Sequence, residues 1–188
     1  MGKFLFWLLL LITIGGGSAY YYYTETGYKF GLEDTFLFKG AIGLTSPDIL
    51  EGGFISPRFT CDGDDEIPRF NLDRIPEGAK SIAITMEDDT KEPKAQTHWI
   101  LFNIDPDAKS IDGSEVYGDA VTGINDFGSA VYKGPCPDPG EPQRYTFKVY
   151  ALNFKIATDK LNRISFDKVI SAHVLASGTL VGVYSKKP

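Results

Sequence analysis

Histidine and cysteine are scarce in this chain, two of each among 188 residues. Any chemistry that needs an imidazole must therefore use His98 or His173, and any thiol chemistry Cys61 or Cys136. Two cysteines are too few for a disulfide scaffold or a zinc cluster, so they are either free core thiols or one bridge. No ligand pair stands at HxxxH, CxxC or similar spacing. A grouping of Asp88, His98 and a cysteine has no spacing behind it, and no metal or other cofactor is called for. The GxxxxGK[ST] phosphate loop is missing, and so is the GxSxG elbow of a serine hydrolase; neither a nucleotide cradle nor a placed nucleophile is on offer. Lys and Arg are nowhere clustered and the formal charge is −6, which argues against nucleic acid as a partner. Carboxylate pairs point to nothing, because 25 acidic residues supply them by chance.

Long apolar runs are also rare, and the single one stands at the N-terminus. Lys3 precedes residues 4–14, apolar apart from Thr13, and then come Gly15, Gly16, Gly17, Ser18 and Ala19. A short positive region, a hydrophobic stretch and small residues form the order of a secretory signal. Counted through Tyr20 to Tyr23, the stretch reaches about 20 residues, enough to span roughly 30 Å of hydrocarbon with tyrosines at the headgroups. We read 1–23 as a signal peptide or N-terminal membrane anchor, 24–44 as a polar and aromatic linker, and 45–188 as one domain. In either case Lys3 stays inside and the domain goes outside, into an oxidising compartment.

What the chain has in quantity is strand and turn chemistry: 13 Phe, 10 Tyr and 20 Gly, with 43% hydrophobic residues. In residues 81–86 the side chains of Ile82, Ile84 and Met86 share one face, and in residues 145–150 those of Tyr145, Phe147 and Val149 do. Residues 99–104 are apolar on both faces, as in a central sandwich strand. Pro and Gly stop strands at 74–78, 105–107 and 134–140. One helix is expected, because Phe166, Val169, Ile170, His173 and Val174 recur at spacings of three and four; Ser165 is its N-cap and Gly178 its stop. A closing strand follows at 179–184. The pattern is a mainly β, antiparallel sandwich with a small C-terminal helical element.

Of the two histidines, His173 falls on the apolar stripe of that helix and reads as a satisfied core residue. His98 opens the apolar strand and follows a polar segment that begins with Asp88 and Asp89. There it is either a surface histidine at a strand end or a holder of a proton for a charge-assisted hydrogen bond to an anion.

Three stretches together resemble the phosphatidylethanolamine-binding protein family in its bacterial and archaeal, Raf-kinase-inhibitor-like branch. The first is Ser56-Pro57-Arg58-Phe59-Thr60-Cys61-Asp62-Gly63 with Ile75-Pro76-Glu77-Gly78-Ala79-Lys80-Ser81. The second is Met86-Glu87-Asp88-Asp89-Thr90 with Thr97-His98-Trp99-Ile100-Leu101-Phe102-Asn103-Ile104. The third joins Asn125-Asp126-Phe127-Gly128, Tyr132-Lys133-Gly134-Pro135-Cys136-Pro137 and Gln143-Arg144-Tyr145-Thr146-Phe147. Residues 172–176 are similar to the family's C-terminal helix.

The resemblance implies a Greek-key-like β-sandwich with a shallow anion pocket at one end. Its ligands would be phosphate, a phosphorylated headgroup or a carboxylate, bound by Asp88, His98 and Tyr145, with Gly134 and Pro135 on the wall and Asp88 raising the basicity of His98. Two positions depart from the family: Asp89-Thr90 stands where Pro-Asp is usual, and Gln143 replaces a histidine before Arg-Tyr. Both put phosphate-monoester binding in question. The implied roles are non-catalytic binding, including inhibition of a protease or kinase, then envelope lipid or headgroup carriage, and last a hydrolase using His98 with Asp88. The resemblance also brings the loops of Cys61 and Cys136 to the pocket end, where an oxidising compartment would join them in a disulfide. Protease added to intact cells should digest the domain; protection that ends only when the cytoplasm is lysed would refute an external location.

Overall fold

The computed structural model describes residues 40–91, 95–113 and 119–186. The assignments of 1–23 and most of 24–44 lie outside the described residues, among which no helix is long and apolar enough to cross a membrane. The described residues form ten strands: β1 (Gly40–Ala41), β2 (Gly43–Thr45), β3 (Gly53–Phe54), β4 (Phe70–Asp73), β5 (Ser81–Asp88), β6 (Gln96–Ile104), β7 (Ser110–Ile111), β8 (Val121–Thr122), β9 (Gln143–Leu152) and β10 (Val174–Tyr184). The helix α1 (Arg163–Ile170) lies between β9 and β10.

A seven-stranded sheet runs β1-β10-β9-β5-β6-β8, with β3 also on β10, and a second sheet runs β2-β4-β7. The long strands pair antiparallel, while the two-residue strands β1 and β3 lie parallel to β10. The large sheet buries both faces. Ile82, Ile84, Met86, Trp99, Phe147 and Val149 face the second sheet, meeting Leu44, Phe70, Leu72 and Ile111 in one core; the rings of Phe70 and Phe147 are 4.8 Å apart. Ala83, Ile100, Phe102 and Leu152 face the other way and meet Phe166 and Ile170 of α1.

Some elements differ from the sequence reading. Strand β6 is apolar on both faces because a sheet covers one and a helix the other, although only the two-residue β8 lies beyond it. Residues 40–44, read as linker, already belong to the sheets: Ile42 and Leu44 are core residues and the Ile42 N–H donates to the Ser177 carbonyl at 3.1 Å. The helix begins three residues before Phe166. Asn162 is its N-cap, and Ser165, expected there, is the reciprocal partner three positions in. It stops at Ser171, and the chain from Val174 to Gly178 is strand because it pairs with the end of β9. The stripe of Val169, Ile170, His173 and Val174 thus spans a helix, a turn and a strand. His173 is half-buried in that turn; its Nδ1 lies 2.9 Å from Asn153 Oδ1 and its ring rests on Phe154 at 4.2 Å. It is satisfied but not in the core.

Helix α1 is fastened to the sheet by charge as well as by packing. Glu87, 4% exposed on β5, takes Lys148 Nζ from β9 at 2.8 Å on one oxygen and Arg163 Nε from α1 on the other. Arg163 also reaches Asp167 one turn on. Removing a buried carboxylate that holds two cations takes from Lys148 its ion-pair partner and leaves Arg163 with Asp167 alone. Glu87→Ala should therefore lose about 3 kcal/mol in urea denaturation, whereas Asp119→Ala, which breaks an exposed pair with Lys155, should lose about 0.5 kcal/mol or less. Equal effects would show that the Glu87 network is not buried in solution.

Candidate functional site

Between β5 and β6 the register slips by one residue. Met86 pairs with Trp99 and Glu87 with Thr97, so His98 is the extra residue of a β-bulge. A regular strand would send His98 to the face opposite Trp99; the bulge turns it to the same side as Trp99 and Tyr145. The rings of His98 and Tyr145 meet edge to face at 5.4 Å, and Tyr145 is the cross-strand partner of Asp88. Asp88, His98 and Tyr145, 1%, 2% and 1% exposed, form one cluster at the end of the sandwich-facing side of the large sheet.

Backbone partners from two loops hold the histidine. Its Nδ1 lies 2.9 Å from the Lys133 carbonyl, so Nδ1 carries the proton and Nε2 is a bare acceptor when the ring is neutral. Nε2 is buried and has no partner among the described residues. The outer edge of β6 is completed by the Asn125-Asp126-Phe127-Gly128 loop. The Thr97 N–H donates to Asp126 Oδ2 at 2.8 Å, the Asp126 N–H to the Thr97 carbonyl at 3.0 Å, and Asn125 Nδ2 to the His98 carbonyl at 3.3 Å. Asn125 Oδ1 in turn accepts the N–H groups of Phe127 and Ser129. Gly128 closes this turn at φ +77°, where a side chain would be strained. Phe127 stands edge-on to His98 at 5.0 Å and is 47% exposed, forming the rim.

Asp88 is half satisfied. Its Oδ1 accepts the Thr90 N–H at 2.9 Å and the Thr90 hydroxyl, while Oδ2 is buried without a partner. The Tyr145 hydroxyl donates to Gln143 Oε1 at 3.3 Å. Burial lowers the His98 pKa below its usual 6.5, opposed by the carbonyls of Lys133 and Gly134 and by the charge of Asp88. Asp88 thus raises the basicity of His98, but desolvation outweighs it. Burial first, then the charge of Asp88, push the Tyr145 hydroxyl upward, so it remains a protonated donor at neutral pH.

Of the sequence-predicted residues, Asp88, His98 and Tyr145 come together and Gln143 touches the Tyr145 hydroxyl. The two wall residues are tied to the neighbouring loop. A Cβ on Gly134 would lie 2.2 Å from the Phe59 carbonyl oxygen, so this glycine permits two loops to approach each other beside His98. Its N–H donates to Asp65 Oδ1 at 3.0 Å, and the Pro135 carbonyl accepts the Cys61 N–H at 3.1 Å. Cys61 and Cys136 are joined in a disulfide, with Cα atoms 5.3 Å apart, and so cannot supply a thiolate to a metal beside Asp88 and His98. Thr90 enters the sequence reading only as a departure from the family at a pocket position, and Asn125, Asp126 and the Lys133 carbonyl do not enter it as site residues; the sequence signal for these three is their place in the family-like stretches.

A two-layered β-sandwich with a helix on its outer face and a buried Asp-His-Tyr cluster at one sheet end defines the structural class. The chain belongs to the phosphatidylethanolamine-binding protein family, whose model matches residues 45–185. It is 34% identical over 140 residues to a UPF0098 protein of Methanothermobacter thermautotrophicus, covering 71% of this chain and 92% of that one. Among solved structures it is similar to Escherichia coli YbcL, with TM-score 0.73, 29% identity and coverage of 79% of this chain and 100% of that one. It is also similar to a putative phosphatidylethanolamine-binding protein homolog of Chlamydia trachomatis, with TM-score 0.72, 28% identity and coverage of 78% and 99%.

The disulfide closes a loop of 75 residues. Cys61→Ser with Cys136→Ser should lower stability by up to about 4 kcal/mol in the chain-entropy picture, read from urea midpoints. An unchanged midpoint would mean that the Cys61 to Pro135 hydrogen bond and its neighbours suffice.

Proposed function

We propose that this domain binds a small anion, namely phosphate, a phosphorylated headgroup or a carboxylate, at the Asp88-His98-Tyr145 cluster without transforming it. The observation that carries the reading is that, of the four buried side-chain polar atoms without a partner among the described residues, two belong to neighbouring ionisable groups, His98 Nε2 and Asp88 Oδ2, the others being Thr85 Oγ1 and Thr97 Oγ1. A buried polar atom left unpaired costs on the order of 1–3 kcal/mol, and groups held in that state point to something that completes them. A protonated His98 would give an anion a charge-assisted hydrogen bond while Nδ1 stays tied to Lys133. Catalysis is disfavoured because, among the described residues, no hydroxyl is hydrogen-bonded to Nε2 as a nucleophile would be.

A second reading, carriage of a lipid or its headgroup, is favoured by the apolar rim. Ile124, Phe127 and Val131 are 38%, 47% and 50% exposed on the loop beside His98. Inhibition of a protease or kinase rests on the family resemblance alone. The proposal includes a location outside the cytoplasm, supported by the N-terminal apolar run and by the disulfide, a bond that persists in oxidising compartments.

Because burial keeps His98 neutral, binding an anion draws a proton onto Nε2, and affinity rises as pH falls toward the lowered His98 pKa. The charged groups around the ring are Asp88 on β5, Lys91 after it, and Asp126 and Lys133 in the flanking loops. Phosphate titrated by calorimetry should bind roughly tenfold more tightly at pH 6 than at pH 8. His98→Gln should remove most of that gain. Unchanged affinity in a folded His98→Gln variant would place the anion elsewhere.

A further inference from the structure

The two partnerless atoms have the same polarity, and this restricts the ligand further than charge does. With Nδ1 donating to Lys133, neutral His98 presents only a lone pair at Nε2. Asp88 presents only lone pairs at Oδ2, since Thr90 already supplies both donors to Oδ1. The proton of Tyr145 goes to Gln143. The surrounding backbone donors are also committed: Asp89 N to the Arg144 carbonyl, Thr90 N to Asp88, Asp126 N to the Thr97 carbonyl, Lys133 N to the His98 carbonyl and Gly134 N to Asp65. Two of the nearby cations are occupied as well, Lys133 on Asp65 at 3.7 Å and Arg144 on Asp89 at 3.8 Å, while Lys91 contributes charge near the ring. Among the described residues, the backbone donors named leave no ready nest of N–H groups for a bare anion.

One proton, on His98, turns Nε2 into a donor. Asp88 Oδ2 remains an acceptor beside the incoming charge, and a donor-free anion would be repelled by it. A ligand that carries its own hydroxyl on an anionic phosphorus solves both demands: an anionic oxygen accepts from His98 while the P–OH donates to Asp88. Building on the anion-binding reading, we propose that the pocket selects oxyanions by their own proton. It takes phosphate and phosphate monoesters as their monoanions, which keep a P–OH and are populated as pH falls toward a second pKa of about 6, and it rejects sulfate, phosphate diesters and ionised carboxylates, which have none, so that the carboxylates drop out of the ligands proposed above.

Asp88→Asn reverses the demand. Thr90 would hold the amide oxygen in the place of Oδ1, leaving the NH2 where Oδ2 was, a donor in place of an acceptor. The test titrates the folded domain at pH 6.5 with inorganic phosphate, phosphoethanolamine, a short-chain phosphatidate, glycerophosphoethanolamine and sulfate. The first three should bind at least about tenfold more tightly than the last two, by the cost of an unmade charge-assisted hydrogen bond. Comparison among the first three separates a free ion from a headgroup and from a lipid. In Asp88→Asn, sulfate and the diester should gain while phosphate loses, a crossing that a merely structural role for Asp88 would not produce.

Equal binding of phosphate and sulfate by the wild type would overturn the selection by proton and leave the anion reading standing. No binding of any of the five would overturn both. A uniform loss in Asp88→Asn would also overturn the selection, and if that variant fails to fold, the wild-type comparison still decides.

Discussion

One extra residue in β6 sets the geometry on which the site depends. Without the bulge opposite Met86 and Glu87, the alternation of β6 would put His98 on the helix-covered face of the sheet. With it, His98 and Trp99 both turn toward the second sheet. Trp99 fills the core and meets Tyr132 edge to face at 5.6 Å; His98 stands at the end of that core against Tyr145. A bulge also breaks the ladder and frees backbone groups at its outer edge. The Asn125-to-Gly128 loop and Lys133 take up those groups, so the site-forming loops and the bulge stabilise one another.

Strand β5 shows how differently two adjacent carboxylates can be treated. Glu87 points to the helix face, where both oxygens meet cations. Asp88 points to the sandwich face, where one oxygen is satisfied by Thr90 and the other by nothing among the described residues. The first arrangement is what a buried charge needs for stability. The second leaves a charged group short of a partner beside a histidine with the same kind of deficit; Thr85 Oγ1 and Thr97 Oγ1 are also without partners, but only Asp88 and His98 are ionisable, and such local inconsistency is the mark of a binding site. Depressed protonation of His98 has its own stability cost: the buried neutral ring is favourable above the ordinary pKa of 6.5 and that benefit is lost as pH falls toward the lowered value.

The departures at positions 90 and 143 acquire a physical sense. Thr90 gives Asp88 two hydrogen bonds without adding a second negative charge, and Gln143 accepts the Tyr145 proton without adding a positive one. His98 is thereby left as the only imidazole in the cluster, and its titration is not coupled to a neighbouring histidine.

By itself the sequence determined which residues alternate, and hence that β5 and β9 bury Ile82, Ile84, Met86, Phe147 and Val149 on one face. It also placed the Pro and Gly turns and carried enough motif for the family, with Asp88, His98 and Tyr145 among its pocket positions. Periodicity misled where two elements met: the stripe from Phe166 to Val174 mimicked one helix because the turn after Ile170 keeps the spacing of three and four. Only the tertiary structure decided what lies far apart along the chain. That His98 faces the second sheet and Tyr145 rather than the helix follows from a register slip between two strands, which no single strand records. That Gly134 serves Phe59, that Cys61 meets Cys136, and that Lys133 fixes the tautomer of a histidine 35 residues earlier are consequences of loops brought together by the sheets. Local pattern encodes which way a side chain faces, whereas the partner it faces is set by register and closure, which depend on every strand at once.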